Sequence, residues 1–367
     1  MSLEDHRRVP IAEPAIGEEE RERVREVLDS GMIADGEEVR AFEREFATTC
    51  HVDHGVATSN GTTALHTALR ACGIGEGDTV VTTPFSFVAT ANAVRFCGAE
   101  PVFADVDPDT YNLDPTAVRE AIEIRGGDVD AILPVHLYGL PAPMDDLLAI
   151  AEEYDAVVVE DAAQAHGARY HEEPVGSLGD AAAFSFYPTK NMTTGEGGMV
   201  VTDDEAVADR AARFVNHGRD EQYEHVELGH NFRMTNIAAA IGRVQLKRLS
   251  RFVQARRDNA AALTAALAEA PVDPPSVPDG LDHAFHQYTV RASDRARLVA
   301  HLDDNGVDTG VYYPTPIHEQ PAYGGVDERY PVAERAADEV LSLPVHPGLT
   351  EADLAAVADA LARYPTQ

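Results

Sequence analysis

Apolar and polar positions alternate along the chain with two different periods. From Gly55 to Asp161, short β-branched or apolar runs alternate with segments that have the spacing of an amphipathic helix. The strand-like runs are GVAT, TVVTTP, PVFADV, AILPVH and AVVVED, and the helical segments between them are TALHTALRA, FVATANAVRFC, PTAVREAIE and PMDDLLAIAEEY. This alternation predicts an α/β fold whose central sheet is mostly parallel and flanked by helices. In such sheets, ligands bind beyond the carboxyl ends of the strands.

Both ends of the chain show helical periodicity. The first 50 residues contain two apolar stripes, which predict two helices that clasp the domain: Val24, Val27 and Leu28 on one, and Val39, Phe42 and Phe46 on the other. The segment from Thr235 to Leu267 predicts one long helix, which ends before the proline-rich APVDPPSVPDG. After it, HQYTVRA, ARLVAHLDDNG and VDTGVYY predict a strand, a helix and a strand, and EADLAAVADALARY predicts a closing helix. We therefore divide the chain into residues 1–250, the N-terminal helices plus a large domain, and residues 251–367, a smaller α+β domain.

The composition narrows the choice of partners. A net charge of -34 and a pI near 4.6 disfavour nucleic acid and anionic lipid, because both would be repelled, and fit adaptation to a salty cytoplasm. The chain has no apolar run long enough to span a bilayer and no signal-peptide core after MSLEDHRRVPIAEP, so we expect a cytoplasmic protein. Its three cysteines are odd in number and lack CxxC spacing, which argues against a disulfide framework or a zinc site.

Lysine is scarce in this chain. Of 29 lysine and arginine residues only Lys190 and Lys247 are lysines, so we expect a lysine to stand where arginine could not replace it. Lys190 ends the run FSFYPTK and stands just before the glycine-rich NMTTGEGG. An amine desolvated at such a strand end has a lowered pKa and becomes a nucleophile towards an aldehyde. Arginine cannot form a Schiff base.

Two other strand ends carry polar groups. The run VVVED ends in Glu160 and Asp161, and a buried carboxylate needs a partner: a protonated pyridine nitrogen, or a metal ion. No second cluster of Asp, Glu or His at ligand spacing supports a metal, and Asp161 could instead cap the helix that follows. The run TSNGTT, with Gly61, Thr62 and Thr63, opens a helix whose free N–H groups suit a phosphate, although these are also ordinary capping residues.

Taken together, these motifs resemble those of the sugar aminotransferases of the DegT/DnrJ/EryC1/StrS group, within the aspartate-aminotransferase-like fold. The resemblance rests on ordered motifs that span nearly the whole chain: SNGTTALHTAL, TTPFSFVATANA, VEDAAQAHGA, FSFYPTKNMTTGEGGMV, GHNFRMTNIAAAIGRVQL and YYPTPIHEQPAY. It implies a fold type I enzyme that depends on pyridoxal 5'-phosphate (PLP). Some relatives are dehydratases with histidine in place of the lysine, so Lys190 favours transamination.

The resemblance also assigns roles to residues. Lys190 would bind PLP covalently and shuttle a proton, and Asp161 would pair with the pyridine nitrogen. Gln164 would contact the ring hydroxyl, and Phe87 would stack on the ring. The phosphate would be held by the backbone N–H groups of Thr62 and Thr63, in the turn that begins at Gly61, and by the Ser185 hydroxyl. Asn231 would be donated by the neighbouring subunit of a homodimer. Tyr313 and His318 match a loop near the sugar.

The expected reaction moves an amino group from an amino acid, with L-glutamate as the expected donor, to a keto group of a nucleotide-linked sugar. The loop YYPTPIH is more similar to enzymes that aminate C3 than to those that aminate C4. Because the acidic surface opposes an anionic nucleotide, we expect local arginines to bind it, with Arg219 and Arg233 as candidates. Two alternatives stay open: another fold type I PLP enzyme that acts on amino or keto acids, and a regulatory relative without catalysis.

Overall fold

The structure is a computed structural model that describes residues 8–221, 223–267, 270, 272–324 and 328–365. The helices are α1 (Glu18–Ser30), α2 (Glu37–Thr49), α3 (Gly61–Ala71), α4 (Ala89–Phe96), α5 (Pro115–Ile124), α6 (Met144–Tyr154), α7 (Glu205–Val215), α8 (Asn236–Ala266), α9 (Arg295–Asp304), α10 (Pro331–Glu339) and α11 (Glu351–Ala362). The strands are β1 (His54–Thr58), β2 (Thr79–Thr82), β3 (Glu100–Phe103), β4 (Ala131–Leu133), β5 (Val157–Asp161), β6 (Arg169–Tyr170), β7 (Glu173–Pro174), β8 (Ala181–Ser185), β9 (Gly198–Thr202), β10 (Arg219–Glu221), β11 (Glu224–His225), β12 (Leu281–Asp282), β13 (Tyr288–Arg291) and β14 (Val340–Leu343).

Seven strands form the central sheet, in the order β1-β9-β8-β5-β4-β2-β3. The pairs from β8 through β5, β4 and β2 to β3 are all parallel, and β9 alone runs antiparallel to its two neighbours. The predicted α/β fold with a mostly parallel sheet is therefore confirmed. The parallel strands all point their carboxyl ends at one edge of the sheet, where β5 ends at Asp161 and β8 at Ser185.

Helices cover both faces of this sheet because successive strand residues point to opposite sides. Val80, Leu133 and Val159 pack in a buried cluster with α3, α4 and α7. Their sequence neighbours Val81, Ile132 and Val158 pack in a second cluster with α5 and α6. Strands buried on both faces explain why these runs are continuously apolar rather than alternating.

The two N-terminal helices pack on α8, as the clasp hypothesis requires. The stripe on α2 is fully buried: Val39, Phe42 and Phe46 are each 1% exposed or less. The stripe on α1 is only half correct, because Val27 is buried and Leu28 is 54% exposed. Ionic contacts add to this packing, and Arg243 of α8 donates hydrogen bonds to Glu38 and Glu45 of α2.

The C-terminal part of the chain packs around the end of α8. The long helix predicted from Thr235 to Leu267 is observed as Asn236–Ala266, and the proposed domain boundary after residue 250 falls inside it. Strand β13, helix α9 and helix α11 agree with the prediction, whereas β14 was not predicted. Leu263 of α8 shares their apolar core.

The strand predicted for VDTGVYY is wrong. Only Val307 and Gly310 form isolated bridges there, to Val9 and Ser342. After Gly310 the chain brings Tyr312 and Tyr313 to the wall of a cavity at the end of the central sheet. Within the described ranges, no helix combines the length and apolar character needed to cross a membrane.

Candidate active site

A cavity of about 720 Å³ lies at the carboxyl ends of β5 and β8. Its walls come from the first turn of α3, the loop into α4, the loops after β5 and β8, and the segments around residues 286 and 312. It brings together most of the residues predicted to bind the cofactor: Gly61, Thr62, Thr63, Phe87, Asp161, Gln164, Ser185 and Lys190. It also includes Tyr313, which was predicted to lie near the sugar.

Asp161 is the buried carboxylate of this cavity, at the last position of β5. Its Oδ2 accepts a hydrogen bond from the Thr90 hydroxyl at 2.8 Å, and its Oδ1 accepts from the Ala163 N–H at 3.2 Å. Burial raises the pKa of Asp161, while these hydrogen bonds and the charge of Lys190 act in the opposite direction. A carboxylate in this setting favours a cationic ligand such as a protonated pyridine nitrogen.

Glu160, the second acid of the VVVED run, has a structural role. Its carboxylate accepts hydrogen bonds from the N–H groups of Gly176, Leu178 and Gly179, each at 2.9 Å, and contacts His136 Nε2 at 2.8 Å. His136 Nδ1 accepts from the Ala142 N–H, so Nε2 carries the proton and donates to Glu160. Burial opposes ionisation of Glu160, but His136 and the backbone donors outweigh it and lower its pKa. Of the two neighbouring acids, only Asp161 is left to serve the cavity.

Lys190 follows β8 in a turn closed by the hydrogen bond from its own N–H to the Tyr187 carbonyl at 2.9 Å. Burial lowers its pKa to about 8, and the attraction of Asp161 only partly offsets this effect. The amine is therefore neutral far more often near neutral pH than the amine of an exposed lysine. A neutral amine beside a buried carboxylate can attack an aldehyde and can also carry a proton.

The first turn of α3 forms a cradle for an anion. The Asn60 side chain caps the helix by accepting from the Thr63 N–H at 3.0 Å. The Thr63 N–H predicted to bind the phosphate is therefore already used, and the N–H groups of Gly61 and Thr62 remain for a ligand. Gly61 packs against Ser185 so closely that an added Cβ would lie 2.6 Å from Ser185 Cβ. Glycine at this position therefore brings the helix start and the Ser185 hydroxyl together, as a phosphate site needs.

Gln164 and Phe87 both contact Tyr313, Gln164 through the Tyr313 hydroxyl and Phe87 through the ring. Gln164 accepts from the Tyr138 N–H at 2.7 Å through Oε1 and donates from Nε2 to the Tyr313 hydroxyl at 3.1 Å. The Phe87 ring lies 5.9 Å from the Tyr313 ring and is 55% exposed. An exposed aromatic face at a cavity wall suits stacking on a planar ring. The amine, the buried carboxylate, the anion cradle and this aromatic face fit the parts of PLP.

Four predicted residues lie outside this cavity. Arg219 and Arg233 line a separate cavity of about 290 Å³, where Arg233 donates to Asn216 at 2.7 Å. Asn231 is exposed and bridges to Asn216. His318 is buried beside Glu334, with its Nε2 3.4 Å from Oε1. Their assignment to the substrate or to a neighbouring subunit stays a prediction.

Sequence reasoning missed other residues of the cavity: Ser86, Thr90, His286 and Gln287 line it, and Tyr138 orients Gln164. The spacing of Ser86 and Thr90 in FSFVAT could have suggested one helical face pointing at the strand ends. Nothing in the local sequence marks His286, Gln287 or Tyr138, because they reach the site through tertiary packing.

Comparison with known proteins agrees with this geometry. The model of the DegT/DnrJ/EryC1/StrS aminotransferase family matches residues 14–362. The chain is 43% identical over 346 residues to a pleiotropic regulatory protein of Geobacillus stearothermophilus, covering 92% of each chain. It is 40% identical over 339 residues to the UDP-N-acetyl-3-dehydro-alpha-D-glucosamine 3-aminotransferase of Acidithiobacillus ferrooxidans, covering 92% of this chain and 91% of that one.

A solved structure is equally similar. The X-ray structure of Streptomyces venezuelae DesV, in complex with a ketimine intermediate, matches with a TM-score of 0.93 and 40% sequence identity. The match covers 96% of this chain and 97% of DesV. Together with the cavity that fits PLP, these matches show that the chain belongs to the DegT/DnrJ/EryC1/StrS aminotransferase family and is a PLP-dependent aminotransferase.

Proposed function

We propose that this aminotransferase moves an amino group from L-glutamate to the C3 keto group of a nucleotide-linked sugar. The observation that carries the proposal is the cavity in which the Lys190 amine, the Asp161 carboxylate and the α3 anion cradle converge. The name of the Acidithiobacillus relative, a 3-aminotransferase for a 3-dehydro sugar nucleotide, supports both the sugar substrate and the carbon.

In this proposal the polar and aromatic residues of the cavity have distinct tasks. PLP supplies an electron sink when it is bound, and the protein supplies orientation and proton transfer. Asp161 keeps the pyridine nitrogen protonated, and Gln164 donates to the ring hydroxyl. The N–H groups at the start of α3 and the Ser185 hydroxyl hold the phosphate, and Phe87 covers the ring.

Lys190 has two roles in this reaction. It binds the cofactor through Nζ, and when Nζ is released it removes a proton from the amino donor and returns one to the carbon that receives nitrogen. Because burial lowers the pKa of Lys190 to about 8, the amine can accept a proton near neutral pH and release it again. An amine with the pKa of an exposed lysine would be protonated too often to act as a base.

We further propose that two subunits share each active site. Arg219 and Arg233 form no ion pair with any residue in the described part of the chain, although Arg40 and Arg213 in the same cavity are paired with acids. Arginines that lack an ion-pair partner among the described residues suit the phosphates of a nucleotide, and Asn231, which is exposed, lies two residues before the half-buried Arg233. A second copy could present this surface to the Lys190 cavity of the first.

A substrate panel tests the reaction. UDP-linked and dTDP-linked 3-keto and 4-keto sugars are incubated with L-glutamate, and NMR assigns the carbon that carries the new amine. We expect amination of a 3-keto sugar nucleotide, whereas turnover of 2-keto acids alone would replace the proposal with the amino-acid aminotransferase alternative. The name of the Geobacillus relative, a pleiotropic regulatory protein, supports the other alternative, a regulatory relative without catalysis. Cofactor binding without turnover of any substrate would favour that alternative.

Mixing two inactive variants tests the shared site. Lys190→Ala and Arg233→Ala subunits are unfolded together and refolded as a mixture, so that half of the dimers contain one of each. If the site is shared, each mixed dimer has one intact site and the mixture regains about one quarter of the wild-type activity. No recovery would show that Lys190 and Arg233 belong to the site of the same subunit, whereas an Arg233→Ala protein that is active on its own would show that Arg233 has no role in the site.

A further inference from the structure

The orientation of the Gln164 amide is fixed by a backbone group far away in the sequence. The Tyr138 N–H can only donate, so the atom it meets at 2.7 Å is the acceptor Oε1 of Gln164. The donor Nε2 must then face Tyr313 and the cavity. A shift of the backbone at Tyr138 would therefore remove the restraint that decides which end of the Gln164 amide faces the cavity.

Tyr138 itself has an unfavourable backbone conformation. Its φ is 58° and its ψ is 3°, in the left-handed region that residues with a Cβ rarely adopt. Gly139 follows with φ 95°, and an added Cβ there would lie 3.0 Å from the Gln164 carbonyl oxygen and from the His286 nitrogen. A turn of this kind persists only when the surrounding structure holds it.

Asn112 holds this turn from the other side. Its Oδ1 accepts from the Leu137 N–H at 3.0 Å, and its Nδ2 donates to the carbonyls of Leu140 and Pro141, both at 3.1 Å. One side chain thus binds the backbone before and after Tyr138. Asn112 is 2% exposed, so water does not replace these hydrogen bonds.

We propose that Asn112 is a positioning residue for the cofactor: it clamps the Leu137–Pro141 turn, so that Tyr138 N–H orients the Gln164 amide with its donor towards the ring hydroxyl. This inference rests on the proposed role of Gln164. It adds a residue that touches neither cofactor nor substrate. A donor at the ring oxygen stabilises its anionic form, so losing it weakens cofactor binding and raises the pH at which the bound cofactor changes its visible absorbance.

The test compares Asn112→Ala, Asn112→Asp and Gln164→Ala in the holoenzyme. Asn112→Asp retains an acceptor for the Leu137 N–H and replaces the two donated bonds with repulsion between its carboxylate and the carbonyls of Leu140 and Pro141. It serves if the alanine variant does not fold. We expect all three variants to bind PLP about tenfold more weakly or worse and to raise the absorbance midpoint. The decisive variant combines Asn112→Asp with Gln164→Ala, and we expect it to match Gln164→Ala alone.

Asn259 provides a matched control. It is also a buried asparagine that donates to two consecutive carbonyls, those of Val345 and His346, but it lies on α8 and outside the cavity. Asn259→Asp should lower the melting temperature and leave the absorbance midpoint in place. The inference is overturned if the Asn112 variants behave like Asn259→Asp, or if their effect adds to that of Gln164→Ala. If Gln164→Ala alone leaves binding and midpoint unchanged, the proposed role of Gln164 fails as well.

Discussion

The hydroxyl of Thr90 donates a hydrogen bond to Oδ2 of Asp161 at 2.8 Å, across 71 residues of sequence. Thr90 has a single hydroxyl proton, so the contact between Ser86 Oγ and Thr90 Oγ1, also 2.8 Å, must use the proton of Ser86. The two hydroxyls form a chain that ends on the carboxylate. This chain favours the ionised form of Asp161 against the effect of burial.

Replacing Thr90 with valine should make Asp161 harder to ionise. The loss of one hydrogen bond to a charged group should raise the pKa of Asp161 by about one unit, and the acid limb of the kcat/KM profile should move to higher pH by a similar amount. A pH-rate series measures this shift. Thr67→Val is the matched control, because Thr67 is fully buried and its hydroxyl has no hydrogen-bond partner among the residues that the structure describes. Identical profiles for the two variants would refute the role of Thr90.

Glu160→Gln should destabilise the protein rather than alter its chemistry. The amide of glutamine would present N–H groups to a site where His136 and three backbone groups already donate. We expect a loss of about 3–5 kcal/mol in the free energy of unfolding, measured by denaturant titration. Glu153→Gln, at an exposed pair with Arg119, should change this value by less than about 1 kcal/mol.

The stability lost through Glu160→Gln should depend on pH. The pKa of Glu160 is lower in the folded protein than in the unfolded chain. The ionised Glu160 therefore stabilises the fold fully above its unfolded pKa of about 4.3, and this stabilisation is lost as the pH falls through the folded pKa. The difference between wild type and Glu160→Gln should therefore be largest near neutral pH and shrink in acid. A difference that grows on acidification would contradict the ionised state assigned to Glu160.

Gly61→Ala should weaken cofactor binding by pushing the start of α3 away from Ser185. The new Cβ would lie 2.6 Å from Ser185 Cβ and 2.9 Å from its Oγ, so the backbone or Ser185 must move. We expect the dissociation constant of PLP, measured by fluorescence titration, to rise about tenfold or more. Gly75→Ala is the control, since its nearest neighbour is the end of the flexible Arg70 side chain. Equal affinity in both variants would argue against a phosphate site at this turn.

The excess of acidic residues predicts that salt stabilises the protein. With a net charge of -34, screening should reduce repulsion among carboxylates as the Debye length falls from about 10 Å at 0.1 M salt to about 3 Å at 1 M. The melting temperature should rise across this range and change less above it, because screening is then nearly complete. Maximum stability at low ionic strength would refute adaptation to a salty environment.

The sequence predicted the parts of this protein that depend on local periodicity. The strand and helix runs from Gly55 to Asp161 were correct because buried parallel strands and amphipathic helices leave clear patterns. Asp161 could be identified as a candidate because a buried carboxylate at a strand end is costly. Lys190 could be identified because lysine is scarce in this chain and this one precedes a glycine-rich loop. The predicted strand VDTGVYY was wrong because its alternation reflects single bridges at Val307 and Gly310, not a ladder.

Contacts between distant segments could not be predicted. Thr90 reaches Asp161, Asn112 reaches the turn at Tyr138, and Tyr138 reaches Gln164 through pairings that no sequence spacing encodes. The proposed control of protonation and orientation within the cavity rests on these contacts. Local patterns thus located the chemistry, and the tertiary structure supplied the groups that tune it.

Locating the covalent bond between the protein and PLP tests most directly whether Lys190 is the residue that binds the cofactor. Holoenzyme is reduced with sodium borohydride, digested and mapped by mass spectrometry, with Lys247 as an internal control because it is the only other lysine of the chain. We expect the pyridoxyl group on Lys190, no modification of Lys247, and no label on Lys190→Arg protein. Label on Lys247, or bound PLP that leaves Lys190 unmodified, would contradict this expectation.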